Sequence, residues 1–284
     1  MTAIQTLLTE IKNLKPMPAI VSQLLELTER QDSHMAEIAE LIQYDPILTA
    51  NLIRTCNSAY FGLRHPVESI ADAVALLGLE QVADLVILKS SEEMLAGSHT
   101  GYGLEDGAIW RASVSSAAVA RSIATTLGVD HRNTLFTAGL LKDMGKPILD
   151  RFVGEQREAI QRAMATEAIS FHQAEKKIIG VDHAELGGML AKIWKFSPRM
   201  THLIRHHHMR PQKKGSENDP GVAVVHLADC ICMMLGIGVG NDGLSYYFHE
   251  DAALELGIGP KDFTAIMAES MDTIQRVEAL LKVI

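Results

Sequence analysis

Gly139-Leu-Leu-Lys-Asp-Met-Gly-Lys146 sets a lysine beside an aspartate at the end of the apolar run Ala138–Leu141. The pattern predicts a helix over Thr134–Leu149 with Asp143 next to its apolar side. A carboxylate in that position needs a cation, because a buried charge without a partner is strongly disfavoured. Lys142 and Lys146 are the nearest cations, and Gly145-Lys146-Pro147 ends the helix close enough to Asp143 to allow some exposure. Working outward, Asp182-His183, the triplet His206-His207-His208, and His226-Leu-Ala-Asp229 carry the other imidazoles and carboxylates. Together they gather the side-chain types of a metal site in a helical domain, with an ammonium group beside one of its carboxylates.

The rest of the chain fits a helical reading. Of 284 residues, 47% are hydrophobic but only 5% aromatic, so Leu, Ile, Val, Ala and Met must fill the core. That mixture favours helix over strand. The formal net charge is −9 with no Lys/Arg run, which speaks against a nucleic-acid footprint. Cys56, Cys230 and Cys232 are too few and too awkwardly spaced for a disulfide framework or a zinc pair, and read as reduced core thiols of a cytoplasmic protein. The N-terminus carries no secretory pattern. Gly221–Gly240 is nearly apolar over the ~20 residues of a membrane span, yet carries His226 and Asp229 at its centre, which favours a buried helix of a soluble protein.

Apolar periodicity predicts helices over Pro16–Arg30 and Met35–Ile42. Others run from Asp45-Pro46, over Ile70–Leu77 behind Ser69, and over Leu79–Lys89. Gly97-Ser-His-Thr-Gly-Tyr-Gly103 is the clearest linker. It divides an N-terminal lobe, residues 1–96, from a second lobe, residues 104–284. The second lobe opens on a small-residue helix, Ile109–Leu127, ended by Gly128. Helices over Glu155–Ala165 and Ala168–Ile179 precede one capped by Asp182 and one started by Ser197-Pro198; Pro260 begins the last. No segment alternates long enough for a sheet, so the fold class is all-α.

At 100° per residue, Met200, Leu203, Ile204 and His207 share one face. His207 therefore points inward, His208 lies at the edge of that face, and His202 and His206 lie mostly opposite. His207 taken alone reads equally as a core histidine with one hydrogen bond. On the next helix His226 and Asp229 share a face with Val222, Val225 and Met233, so Asp229 also demands a cation: a metal, a histidine or a basic side chain.

Gly139–Lys146, Asp182-His-Ala-Glu-Leu-Gly187, Ile204-Arg-His-His-His208 and His226–Asp229 resemble the HD superfamily of metal-dependent phosphohydrolases, and more closely its HDOD branch, the HD-related output domain. Leu14-Lys-Pro-Met-Pro18, Tyr44-Asp-Pro-Ile-Leu48, Cys56-Asn-Ser-Ala-Tyr-Phe61, Ser69–Gly78 and Trp110-Arg-Ala-Ser113 match the branch in order. The resemblance covers residues 10 to 280 or so, as in a stand-alone HDOD protein. It implies an N-terminal multi-helix lobe packed on an HD-like lobe, in a bacterial signalling protein.

The resemblance also implies a ligand set. Catalytic relatives place a first histidine at Ala112 and the His-Asp doublet at Lys142-Asp143. The retained positions are Asp143, His183, His207 with His208, and Asp229. Alanine offers no lone pair, and a protonated lysine only donates. The expectation is that Lys142 stands near the vacated ion position and pairs with Asp143 or Asp229, making no cofactor necessary. A weak divalent ion could still rest on Asp143, His183, His207 and Asp229. Lys142, Asp143, Lys146, His183, His207, His208 and Asp229 then form a candidate pocket for a small anion such as a nucleotide, or a purely structural cluster. The implied partners are signalling proteins: a sensor kinase, a receiver or a cyclic-dinucleotide enzyme. The alternative is residual metal-dependent phosphohydrolase or phosphodiesterase activity.

Overall fold

A computed structural model describes residues 45–209, 219–241, 243 and 248–282, with isolated positions 11, 20, 21, 23, 24, 27, 42 and 43. The helices expected over Pro16–Arg30 and Met35–Ile42, and the Leu14–Pro18 motif, otherwise fall outside the described residues. So does most of the loop from Gly215. The described residues form helices and no strand, beyond one isolated bridge between His99 and Leu104. The chain divides into two compact units, Met1–Lys15 with Met94–Ile274, and Pro16–Glu93 with Gln275–Ile284.

In the second of these units, α1 spans Pro46–Cys56, α2 Ile70–Leu77 and α3 starts at Leu79, running to Leu95. Asp45 caps α1 by accepting from the N–H groups of Ile47 and Leu48, and Ser69 caps α2 through Asp72 N–H. Between them the Asn57 amide donates to Val67 O at 2.8 Å and accepts from Val67 N–H at 2.7 Å. That pair of hydrogen bonds fixes the loop carrying Cys56-Asn-Ser-Ala-Tyr-Phe61.

The larger unit carries the site. Its helices are α4 (Ala108–Leu127), α5 (Arg132–Leu141), α6 (Lys146–Glu155), α7 (Arg157–Glu167), α8 (Phe171–Ile179), α9 (His183–Ile193), α10 (Pro198–His206), α11 (Pro220–Met234), α12 (Glu250–Glu255) and the start of α13 (Pro260–Leu281). α5 lies so close to α4 that a Cβ on Gly139 would come within 2.9 Å of Ala117 Cα. α9 approaches α10 equally closely at Gly188, where a Cβ would meet Arg205 Cβ at 2.8 Å. α11 is buried from Gly221 to Cys232, which explains why that stretch reads like a membrane span. No helix among the described residues is long and apolar enough to cross a bilayer.

Two expectations change. The helix predicted over Thr134–Leu149 is two helices: α5 stops at Leu141, and Lys142–Gly145 form a turn. That turn closes through Met144 N–H to Leu141 O at 3.1 Å and Lys146 N–H to Asp143 O at 2.8 Å. Pro147 forces the break, since it lacks an N–H and suits the first turn of a new helix. The stretch Gly97–Gly103 is packed instead of open. His99 and Leu104 exchange both backbone hydrogen bonds, and Tyr102 is fully buried.

Candidate functional site

The turn between α5 and α6 delivers Lys142, Asp143 and Lys146 to the interior of the larger unit. It can lie there because residue 145 is glycine. A Cβ at Gly145 would stand 2.1 Å from the carbonyl oxygen of His183, the first residue of α9. Lys142 is 1% exposed. Its ammonium donates to Asp143 Oδ2 and lies 2.5 Å from Asp229 Oδ1, which α11 presents. Lys146 Nζ is 3.3 Å from Asp143 Oδ1. Both oxygens of Asp143 therefore already face an ammonium group.

The electrostatics follow from this geometry. Burial pulls the Lys142 pKa down, but Asp143 and Asp229 together outweigh it and hold the ammonium above its ordinary value. Burial pushes the two aspartates up, and Lys142, Lys146 and His207 together outweigh it at both. The Asp143 carboxyl ends well below the usual range, aided by Lys146, and Asp229 ends below it too. Lys142 is a cation here and has no lone pair to offer.

The imidazoles gather on the other side of Asp143. His183 Nε2 lies 3.6 Å from Asp143 Oδ1. Its Nδ1–H donates to Glu175 Oε2 at 2.6 Å, and Glu175 Oε1 accepts from the Tyr102 hydroxyl. Glu175, from α8, is fully buried. Burial lowers the His183 pKa, but Glu175 overrides it and the imidazole titrates above its ordinary value.

His208 Nε2 lies 2.8 Å from His183 Nε2, so the two rings hold a hydrogen between them. The other face of His208 stacks on His172, with ring centroids 4.2 Å apart and planes within 2°. His207 donates Nδ1–H to Ile204 O at 2.8 Å, and its buried Nε2 has no hydrogen-bond partner among the described residues. Burial lowers His207 to about 3, and burial with the neighbouring imidazoles puts His208 well below its ordinary value. His183, His207 and His208 each offer one ring nitrogen, and all three nitrogens lie within 4.8 Å of one another.

His226 holds this corner in shape. Its Nδ1–H donates to His207 O at 3.0 Å, and its Nε2 accepts from His249 N–H at 3.3 Å. Burial lowers its pKa to about 4, against the pull of the His207 carbonyl and Asp229, which raise it.

Lys142, Asp143, Lys146, His183, His207, His208 and Asp229 thus meet in one buried cluster. His208 is 6% exposed, deeper than its place at the face edge predicts, because α10 ends at His206 and the chain turns inward. His202 and His206 stay half-buried as an adjacent ring pair. Ala112 is half-buried, and a Cβ on Gly238 would meet its Cβ at 2.5 Å.

Three residues went unforeseen. Glu175 left a readable trace, since it falls in the apolar stripe Phe171, Ala174, Ile179. Tyr102 sits in a glycine-rich run that reads as loop, and His172 left no pattern.

The ion that the HD resemblance implies fits these residues only in part. The carboxylate half is neutralised by Lys142 and Lys146. The imidazole half holds one bare buried nitrogen and two rings whose other N–H groups are fixed.

The family profile of the HDOD domain matches residues 14–210. An HDOD domain protein of unknown function from Geobacter sulfurreducens superposes with a TM-score of 0.73 at 25% identity, covering 99% of both chains. A candidate phosphohydrolase from Shewanella amazonensis SB2B superposes with a TM-score of 0.66 at 22% identity, covering 96% of this chain and 97% of that one. In sequence, an uncharacterised protein of Treponema pallidum (strain Nichols) is 25% identical over 217 residues. That alignment takes in 75% of this chain and 41% of the Treponema protein's length.

Proposed function

Since the chain belongs to the HDOD domain family, we propose that it is a non-catalytic regulatory module, acting by protein or small-ligand binding on a degenerate HD site. One observation carries this reading: the Lys142 ammonium stands between Asp143 and Asp229. Metal-assisted hydrolysis needs an ion that acidifies water and clamps phosphate oxygens. A tethered cation held above its ordinary pKa neutralises the same carboxylates and does neither. Ala112, where catalytic relatives carry a histidine, removes a second ligand.

On this reading Lys142, Asp143, Lys146, His183, His207, His208 and Asp229 hold the lobe's shape and form its ligand pocket. The family resemblance supports cytoplasmic signalling partners of the sensor-kinase, receiver or cyclic-dinucleotide-enzyme type. It also supports an N-terminal lobe over residues 1–96 and an HD-like lobe over 104–284. Phosphohydrolase activity is the second reading, favoured by the three clustered histidines. A divalent ion there would supply a Lewis acid, and His183, His207 and His208 would hold it.

The test is turnover. The purified chain is assayed against phosphomonoester, phosphodiester and cyclic-dinucleotide substrates with Mn2+, Fe2+ or Mg2+ added. The expected result is no rate above protein-free controls. Metal-stimulated cleavage that disappears in Asp143→Ala would overturn the regulatory reading.

A further inference from the structure

The chain is acidic, but its acidity is unevenly spread. Residues 186–216 carry seven Lys/Arg and no Asp or Glu. Taking those seven from the chain's 26 basic residues leaves 19 against 35 acidic ones, a net charge of −16 on everything else. The described part of this stretch is most of α9, the turn after it and α10. We propose that the outer face of α9 and α10 is a docking surface for an acidic helical segment of a partner protein. The surface is exposed and separate from the buried cluster, so the proposal goes beyond the regulatory reading and does not depend on it.

Two kinds of side chain meet on this face. Met189 and Ile193 stand one turn apart on α9, 40% and 57% exposed. Lys192 is exposed beside Ile193, as is Lys195 in the turn that follows. Neither lysine makes an ion pair among the described residues. Gly188 sets the flank, because without a Cβ there Arg205 lies against α9. Arg205 Nη2 is 3.7 Å from Glu185 Oε1, and Lys176 Nζ is 2.5 Å from Glu185 Oε2. Glu185 is therefore neutralised from two sides. On α10, Arg199 pairs with Asp219 at 3.4 Å, and His202 and His206 share the half-buried outer side. Along this face the two carboxylates Glu185 and Asp219 stand against Lys176, Lys192, Lys195, Arg199 and Arg205. The excess positive charge borders the exposed apolar pair.

That combination selects the occupant. Protein interfaces join an apolar centre to a polar rim. An amphipathic helix is read through anchors at i and i+4, the spacing of Met189 and Ile193. Opposite charge speeds the encounter and rejects like-charged competitors. Larger polyanions fit less well. Attraction between exposed charges reaches about 8–10 Å at physiological ionic strength. A short acidic helix stays within that range of the patch. A nucleic-acid duplex or an anionic bilayer extends past it and meets the −16 of the remaining residues.

The experiment uses the full chain and the fluorescence anisotropy of labelled probes. The main probe is a peptide of about 15 residues, long enough to form a helix, built from Glu and Ala with Leu at i, i+4 and i+7. Two control peptides carry Gln or Lys in place of every Glu. Duplex DNA and vesicles of phosphatidylserine and phosphatidylcholine in equal parts test the other polyanions. The proposal expects saturable one-to-one binding of the Glu peptide, at least about tenfold tighter than either control. Raising NaCl from about 0.05 to about 0.5 M should weaken it about tenfold. Lys192→Glu/Lys195→Glu should weaken binding by at least about tenfold, and Ile193→Ala by about three- to tenfold. The charge-matched variant Arg111→Glu/Lys261→Glu, on α4 and α13, should change it by less than about twofold. All five substituted positions are exposed, and far-UV circular dichroism checks that the variants fold.

Failure of the Glu peptide to bind, equal binding of the Gln peptide, or unchanged affinity in Lys192→Glu/Lys195→Glu or in Ile193→Ala would each overturn the surface. Tighter binding of the duplex or the vesicles than of the Glu peptide would overturn it too, and would make the face a reader of phosphate. None of these outcomes bears on Lys142, whose reading stands or falls on turnover.

Discussion

At the scale of single residues, Lys142 decides the electrostatics. Removing one member of a buried, hydrogen-bonded ion pair strands its partner, at about 3–5 kcal/mol. Lys142→Ala strands two carboxylates, Asp143 and Asp229. The expected outcome is a fall in Tm on the order of 10 °C, partly reversed by Mg2+ or Mn2+, which do nothing to the wild type. A thermal-shift titration reads both effects; an unaltered Tm would show that the pairs do not form in solution. Tyr102→Phe removes the hydroxyl that reaches Glu175 Oε1, and should cost about 1–3 kcal/mol in urea denaturation. Lysine beside aspartate at the end of an apolar run is legible in the sequence, because each residue's need names the other. Tyr102 is not legible, since its partner is 73 positions away and no local pattern links them.

At the scale of elements, the turn between α5 and α6 does the positioning. Gly145→Ala puts a methyl group 2.1 Å from His183 O, a backbone atom that cannot step aside without moving the start of α9. The prediction is destabilisation beyond about 3 kcal/mol, measured as a shifted urea midpoint at unchanged m-value. At the start of α8 the expected effect is smaller. Ser170 and Gln173 form a reciprocal capping box, so Ser170→Ala should cost about 1 kcal/mol. Most helix starts were readable, because Asp45, Ser69, Asp182 and Ser197 each precede an apolar stripe and cap the helix that follows. The break at Lys142–Gly145 was legible only in part: Gly145-Lys146-Pro147 marks a helix end, but apolar periodicity runs on to Leu149 and the helix stops earlier, at Leu141.

At the scale of the whole molecule, stability depends on pH through the buried histidines. His207, His208 and His226 titrate below their ordinary value of about 6.5. Between that value and their folded pKa, about 3 for His207 and about 4 for His226, the unfolded chain binds more protons. Stability therefore rises with pH across that window and is lost as the pH falls through it. His183 is raised, so its contribution is complete below about 6.5 and declines only at higher pH. Asp143 and Asp229 are lowered and hold their contribution until the pH drops below the ordinary carboxylate range. In EDTA, Tm should drop steadily from pH 6.5 to 4; a flat profile would mean these rings are not buried neutral. The all-α class was legible from composition together with the lack of any long alternating segment. The packing of Gly97–Gly103 was not, because it has the residues of a tether yet folds against Asp150: a Cβ on Gly101 would lie 1.9 Å from its carbonyl oxygen.

The ammonium between Asp143 and Asp229 is joined to the backbone by its own side chain, and so has no dissociation rate. A dissolved ion is lost when a cell runs short of it. A counter-charge built into the polypeptide is inherited with every copy synthesised, so the pairing of Asp143 and Asp229 draws on no dissolved ion.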